Sequence, residues 1–138
     1  MSNLVIGLKG TKEMIVHRHH LSSITGNVGA SVLSTHHVVL RMELAARNAI
    51  EGRLPEGKIT VGTAIKINHF AAAPLGAKVR AEGYLKLIEG RKLVFDVVAY
   101  VDSEKISEGE NEQLIVSADN FLNKVIRKQV KLRKDWDV

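Results

Sequence analysis

The sequence contains no cysteine, which removes disulfides, thiol nucleophiles and thiolate metal sites together. Aromatic residues fill only 4% of its 138 positions, and none is interleaved with a basic patch, so base stacking on nucleic acid is poorly supported. No run is long and apolar enough to span a bilayer, and no membrane partner is expected. Met1 to Lys12 has no basic start followed by an apolar stretch, so no signal peptide is expected and a cytoplasmic location is the default. Also missing are a Gly-x-Ser-x-Gly elbow, a phosphate-loop lysine motif and a dinucleotide fingerprint. No cofactor is expected.

What is present fits one globular domain. The hydrophobic fraction of 45% over 138 residues is enough for a real core, and no linker or repeat divides the chain. The net charge of +5 is unevenly spread. Residues 119–138 hold six Lys/Arg and three Asp, whereas residues 1–118 hold fourteen Lys/Arg and twelve Asp/Glu. The body, about 12–118, is therefore nearly balanced and the excess sits in the tail. Such a tail is usually a solvated end. It could also meet the phosphates of a ligand, or, less readily, nucleic acid.

Residues 12–18 read as a first strand and 19–31 as a loop rich in Ser, Thr, Asn and Gly. Ser31 to Gly52 is the clearest helix. Its inward positions recur at 32, 33, 36, 39, 40, 43, 46, 47 and 50, close to a 3.6-residue period. Ser31 or Ser34 can cap its start, and Gly52 with Pro55 ends it. Four strand-like runs follow at about 58–69, 77–89, 92–102 and 105–117, separated by short turn signals such as Ala73-Pro74-Leu75-Gly76. Connections this short favour antiparallel neighbours. The layout is α+β: one long helix packed on an antiparallel sheet of about five strands.

Three of the helix's inward positions, His36, Glu43 and Arg47, are polar or ionisable, which an ordinary core helix avoids. Thr35, Val39 and Glu43 are spaced by four and share a face. Thr35 lies near the helix start, where free N–H groups favour developing negative charge. Glu43, partly desolvated on that face, would be a stronger base; the plainer reading pairs it with Arg47 at i+4. His69 closes the 58–69 strand. It either caps a turn or serves as acid, base or orienting donor. Gly62 weakens a strand unless something approaches closely, a ligand or the helix. His17, His19, His20, His36 and His37 suggest a metal at first glance, yet their spacing completes no known ligand set, and no metal is expected.

The stretches Val32-Leu33-Ser34-Thr35 through Met42-Glu43, Gly62-Thr63-Ala64-Ile65 through His69, and Ala71-Ala72 with Pro74-x-Gly76 carry a resemblance. So do Glu89-Gly90-Arg91-Lys92-Leu93 and Phe121-Leu122-Asn123-Lys124. Together they resemble the hot-dog-fold acyl-CoA thioesterases, and within them the fluoroacetyl-CoA thioesterase-like group, over about residues 12–128. The resemblance implies a hot-dog fold, with the long helix wrapped by a curved sheet. It implies hydrolysis of a small acyl-CoA thioester by Thr35, Glu43 and His69 acting together, with Gly62 at the family's strand glycine. It also implies homodimers, with tetramers left open, and a ligand between subunits. The group's Gly-x-His-x-Arg element is here Gly109-Glu110-Asn111-Glu112-Gln113. Gln113 thus stands at a substrate-side position that carries arginine in the family. That missing charge motivates the alternative of a non-catalytic acyl-CoA binding or sensing domain.

Overall fold

The computed structural model describes residues 3–136. In chain order it has β1 (Lys9–Ile15), a 3-10 turn (Arg18–His20), α1 (Thr35–Ala49), β2 (Lys58–His69), β3 (Lys78–Glu89), β4 (Lys92–Val101), β5 (Glu104–Ser117) and α2 (Ala118–Trp136). All pairings are antiparallel, and the sheet order is β1-β3-β4-β5-β2. The sheet curls around α1, which touches all five strands. This is the arrangement the family resemblance implies.

The four strands after α1 fall within a residue of their expected bounds. Two elements differ. β1 runs Lys9–Ile15, three residues earlier than expected at both ends, and Gly10 within it is a contact point for α1. α1 begins at Thr35 rather than Ser31, because the residues before it are held extended by bridges Leu21↔Leu33 and Val32↔Pro74. Ser34 is the N-cap residue, although its side chain caps nothing.

The basic tail is not an irregular end: from Ala118 it forms the 19-residue helix α2. Its side chains from Asp119 to Lys134 are all exposed, so solvation of that end is as expected while its shape is not.

Alternation builds the core. Val79, Ala81 and Leu85 of β3 point to the helix side, with Leu93, Phe95 and Val97 of β4 and Ile106 of β5. α1 answers with Val38, Met42, Ala45, Ala46 and Ala49, whereas His36, Leu40 and Arg47, which the period places inward, are exposed because the helix is rotated toward its alanines. The alanines matter because the helix lies flush on two glycines. A Cβ on Gly10 would collide with Ala45 O and Ala49 N, and one on Gly83 would sit 2.6 Å from Ala46 N. These are backbone atoms, which cannot swing aside.

On the opposite face Glu82 is buried yet satisfied. Tyr84 Oη donates to it at 2.7 Å and Arg80 Nε at 2.8 Å, with Lys9 Nζ at 3.6 Å. Burial opposes its ionisation, but these donors and charges outweigh that and hold its carboxyl below the usual carboxylate range.

Gly83→Ala should destabilise the fold by roughly 1–3 kcal/mol through overpacking against α1. A denaturant midpoint close to wild type with an unchanged slope would refute this account of helix seating.

Candidate active site

Two clusters of the expected site residues form along β2. The first is at the strand's end. His69 lies on the inner face opposite Ser107, and its Nδ1 is 2.9 Å from Thr35 Oγ1 in the first turn of α1. His69 Nε2 is buried and has no protein partner. A ring nitrogen in that state has a hydrogen bond still to make. Ser34, just before the helix, donates its backbone N–H to His20 O at 2.9 Å, and the neighbouring Leu33 N–H goes to Ala73 O at 2.9 Å. The chain is thereby fixed so that the first N–H groups of α1 emerge beside the Thr35–His69 pair. A cavity of about 340 Å³ opens there, lined by Thr35, His69, Phe70, Ala71 and residues of the 22–33 loop.

The second cluster surrounds Gly62. The β2–β5 register slips between Gly62 and Ala64. This bulge returns Gly62 to the face that Ile65, Ile67 and His69 share, since their β5 partners Gln113, Asn111, Gly109 and Ser107 all fall on one side. Glu43 reaches down from α1 onto it: a Cβ on Gly62 would lie 2.8 Å from Glu43 Oε2. Gly62 is therefore the space in which the carboxylate sits. Glu43 Oε1 also approaches Arg47 Nη2 at 3.5 Å, the plainer i+4 pair, on the half-exposed side. Gln113, directly opposite Gly62, is fully buried. Its Nε2 donates to Asn111 Oδ1 at 2.7 Å, and Asn111 Nδ2 donates to Ala64 O at 3.0 Å.

Within one chain the two clusters do not meet. Glu43 makes no hydrogen bond or ion pair with His69 and does not line the cavity over it. Gly62 and His69 are seven positions apart on β2, roughly 20 Å of strand. A larger cleft of about 690 Å³ lies at the Glu43 end, between the end of α1, residues 50–58 and the start of β2. Its lining includes Lys12, Arg47 and Lys58. α2 starts at its border, where Ala118 N–H donates to Gly57 O at 2.9 Å.

Five histidines that the sequence scatters come together above the first cluster. The rings of His17, His19, His20, His36 and His37 stack or tilt against one another, the closest centroids, of His19 and His20, being 3.9 Å apart. Among the described residues no set of three or more is arranged to hold a metal ion. His20 Nδ1 accepts from His17 N–H at 2.9 Å, which fixes the 3-10 turn. Burial lowers the pKa of His20 below 6.5, helped by His19, His37, His17 and Arg41; burial lowers that of His37 too, with His36, His19 and Arg41 adding to it.

The fold is shared with solved thioesterases. A mutant of the fluoroacetyl-CoA-specific thioesterase FlK superposes with a TM-score of 0.83 at 28% identity, over 93% of this chain and 99% of that one. A Thermus thermophilus member of the thioesterase superfamily also gives 0.83 at 28% identity, over 99% and 98% of the chains. The molecule is a hot-dog-fold thioesterase. The fluoroacetyl-CoA thioesterase of Streptantibioticus cattleyicolor is 34% identical over 97 residues, 70% of each chain. The family model for FlK, the fluoroacetyl-CoA-specific thioesterase, matches residues 11–119, and the chain belongs to that family. That membership favours catalysis over a binding-only domain. Among the described residues no helix is long and apolar enough to cross a membrane.

The depressed histidines set an acid limit. They are neutral when folded, so their contribution is complete above the unfolded value of 6.5 and is lost as pH falls below it through the folded values. Thermal unfolding should shift downward between pH 7.5 and 5, and His20→Gln should flatten that shift. Parallel pH profiles for wild type and variant would refute a role for the cluster.

Proposed function

We propose that the protein hydrolyses a small acyl-CoA thioester at sites shared between two copies of the chain. The observation that carries this is the placement of the two clusters on one free strand. β2 is an edge strand, and its outer side has no partner among the described residues. Leu40 of α1 and Ile59 of β2 are exposed beside it. Such an edge invites pairing. Antiparallel pairing of β2 with β2 of a second copy, about a two-fold axis near Ile65, sets His69 of one chain alongside Gly62 of the other. The Thr35–His69 pair of one subunit then faces the Glu43–Gly62 pair of its partner. The small cavity of one chain opens toward the large cleft of the other.

The chemistry follows from that pairing. Thr35 and His36 offer backbone N–H groups at the start of α1 with no helical acceptor, and these polarise the thioester carbonyl. Glu43 removes a proton from water as the water oxygen bonds to the acyl carbon, or attacks that carbon itself to give an anhydride that water then opens. The C–S bond breaks, and the thiolate takes a proton to leave as free CoA. Thr35 holds the His69 ring, which orients the water or protonates the departing sulfur. Lys12, Arg47 and Lys58 of the cleft, with the basic side of α2, suit the CoA phosphates as point charges. The relatives named for fluoroacetyl-CoA, and the FlK mutant solved with acetyl-CoA at 27% identity and a TM-score of 0.82 over 91% and 98% of the chains, support a small acyl group.

Glu43→Gln should lower thiol release from acetyl- to hexanoyl-CoA by roughly 10²–10⁴-fold while the protein stays folded. Mixing Glu43→Gln with His69→Ala and allowing subunits to exchange then tests the sharing. Half of the dimers are mixed and each has one complete site of two, so about one quarter of wild-type turnover should return. No recovery despite demonstrated exchange would sink the shared site.

A further inference from the structure

We infer that Gln113 is a water-positioning residue: its side-chain carbonyl and the Glu43 carboxylate together hold the hydrolytic water between them. This rests on the proposed hydrolysis by Glu43 and assigns the position of its second reactant. The orientation of the Gln113 amide is fixed by a chain of bonds. Asn111 must turn its Nδ2 to Ala64 O, 3.0 Å away, so its Oδ1 faces Gln113. Gln113 must answer with Nε2, at 2.7 Å. A flip at either residue would set two acceptors against each other. Gln113 Oε1 is left buried with no partner in the protein.

A buried acceptor without a donor is costly, by about 1–3 kcal/mol, and such groups are ordinarily met by an ordered water. The neighbours show which water. Gln113 stands opposite Gly62 on the inner face, and directly opposed side chains in an antiparallel pair start about 5 Å apart. Gly62 has no side chain there, and the Glu43 carboxylate takes the space a Cβ would fill, its Oε2 2.8 Å from that point, which leaves the span between that oxygen and the Gln113 amide. A water there finds two acceptors, an amide oxygen and a carboxylate, and spends one hydrogen on each. Its lone pairs stay unused and face the open side. That is the state a nucleophilic water needs: one O–H donated to the base and ready to transfer, the oxygen uncommitted. A cation at position 113 would act oppositely, binding the carboxylate and offering the water no acceptor.

Three variants separate this from its foundation. Gln113→Met removes the acceptor at similar length and should lower kcat by about 10- to 10²-fold with KM within twofold. Gln113→Glu keeps an acceptor and, protonated, also the donor that Asn111 Oδ1 requires, so it should retain more kcat than Gln113→Met. Wild-type kcat in Gln113→Met, or a rise in KM alone, would overturn the proposal. Loss of turnover in Glu43→Gln alongside would leave the hydrolytic reading standing, whereas an active Glu43→Gln would remove the reading itself. Should Gln113→Met fail to fold, a high-resolution crystal structure of the wild type decides. A water within hydrogen-bond distance of both Gln113 Oε1 and Glu43 supports the role, and an empty gap or a direct Gln113–Glu43 bond overturns it.

Discussion

The height of α1 above the sheet sets the geometry of both clusters of candidate site residues. Gly10 and Gly83 let the helix backbone descend onto β1 and β3 at Ala45, Ala46 and Ala49. Any Cβ at those glycines would lift the helix. Thr35 reaches His69 through a hydroxyl on a short side chain, so little slack exists at the helix start. Glu43 is longer, yet its carboxylate fits only because Gly62 leaves room below it. Core packing and site geometry are thus one constraint, met by glycines on the strands and alanines on the helix.

β2 is the second determinant. A regular strand would turn Gly62 away from the face that carries Ile65, Ile67 and His69, since residues three apart alternate. The bulge between Gly62 and Ala64 restores it. One irregularity therefore keeps both clusters on the helix side of the same edge strand. An edge left bare is a hazard in a monomer. The proposed pairing with a second copy would make the same edge the seam along which the separated groups meet.

Much of this was legible in the residues. The strands after α1 were bounded by alternation and by turns of Gly, Pro, Asp and Ser, which act locally. Thr35, Glu43 and His69 stood out because a carboxylate inside an apolar helix needs a reason. Their partition into two clusters was not legible, because helix spacing says which side chains share a face and nothing about where a strand runs beneath it. Gly10 fell outside the expected first strand because its contact with α1 is tertiary. α2 escaped for a different reason. Phe121, Leu122, Val125, Ile126 and Val130 recur at helical spacing, but six Lys/Arg among them give the tail the composition of a solvated end. The core does not demand that helix, since these side chains stay exposed.

The amides at Asn111 and Gln113 bear on the electrostatics of the carboxylate. A histidine and an arginine at those positions would bring charge to the inner face beside Glu43, and buried charge must be paired to be tolerated. The amides need only each other and the carbonyl of Ala64. Glu43 consequently meets its cation, Arg47, on the solvent side, at 3.5 Å and half exposed, where water and salt weaken the attraction. A carboxylate locked to a buried arginine spends its lone pairs on that partner. One held only loosely from outside keeps an oxygen, the Oε2 above Gly62, uncommitted. The departure from the family's charged pattern therefore alters how the carboxylate is supported.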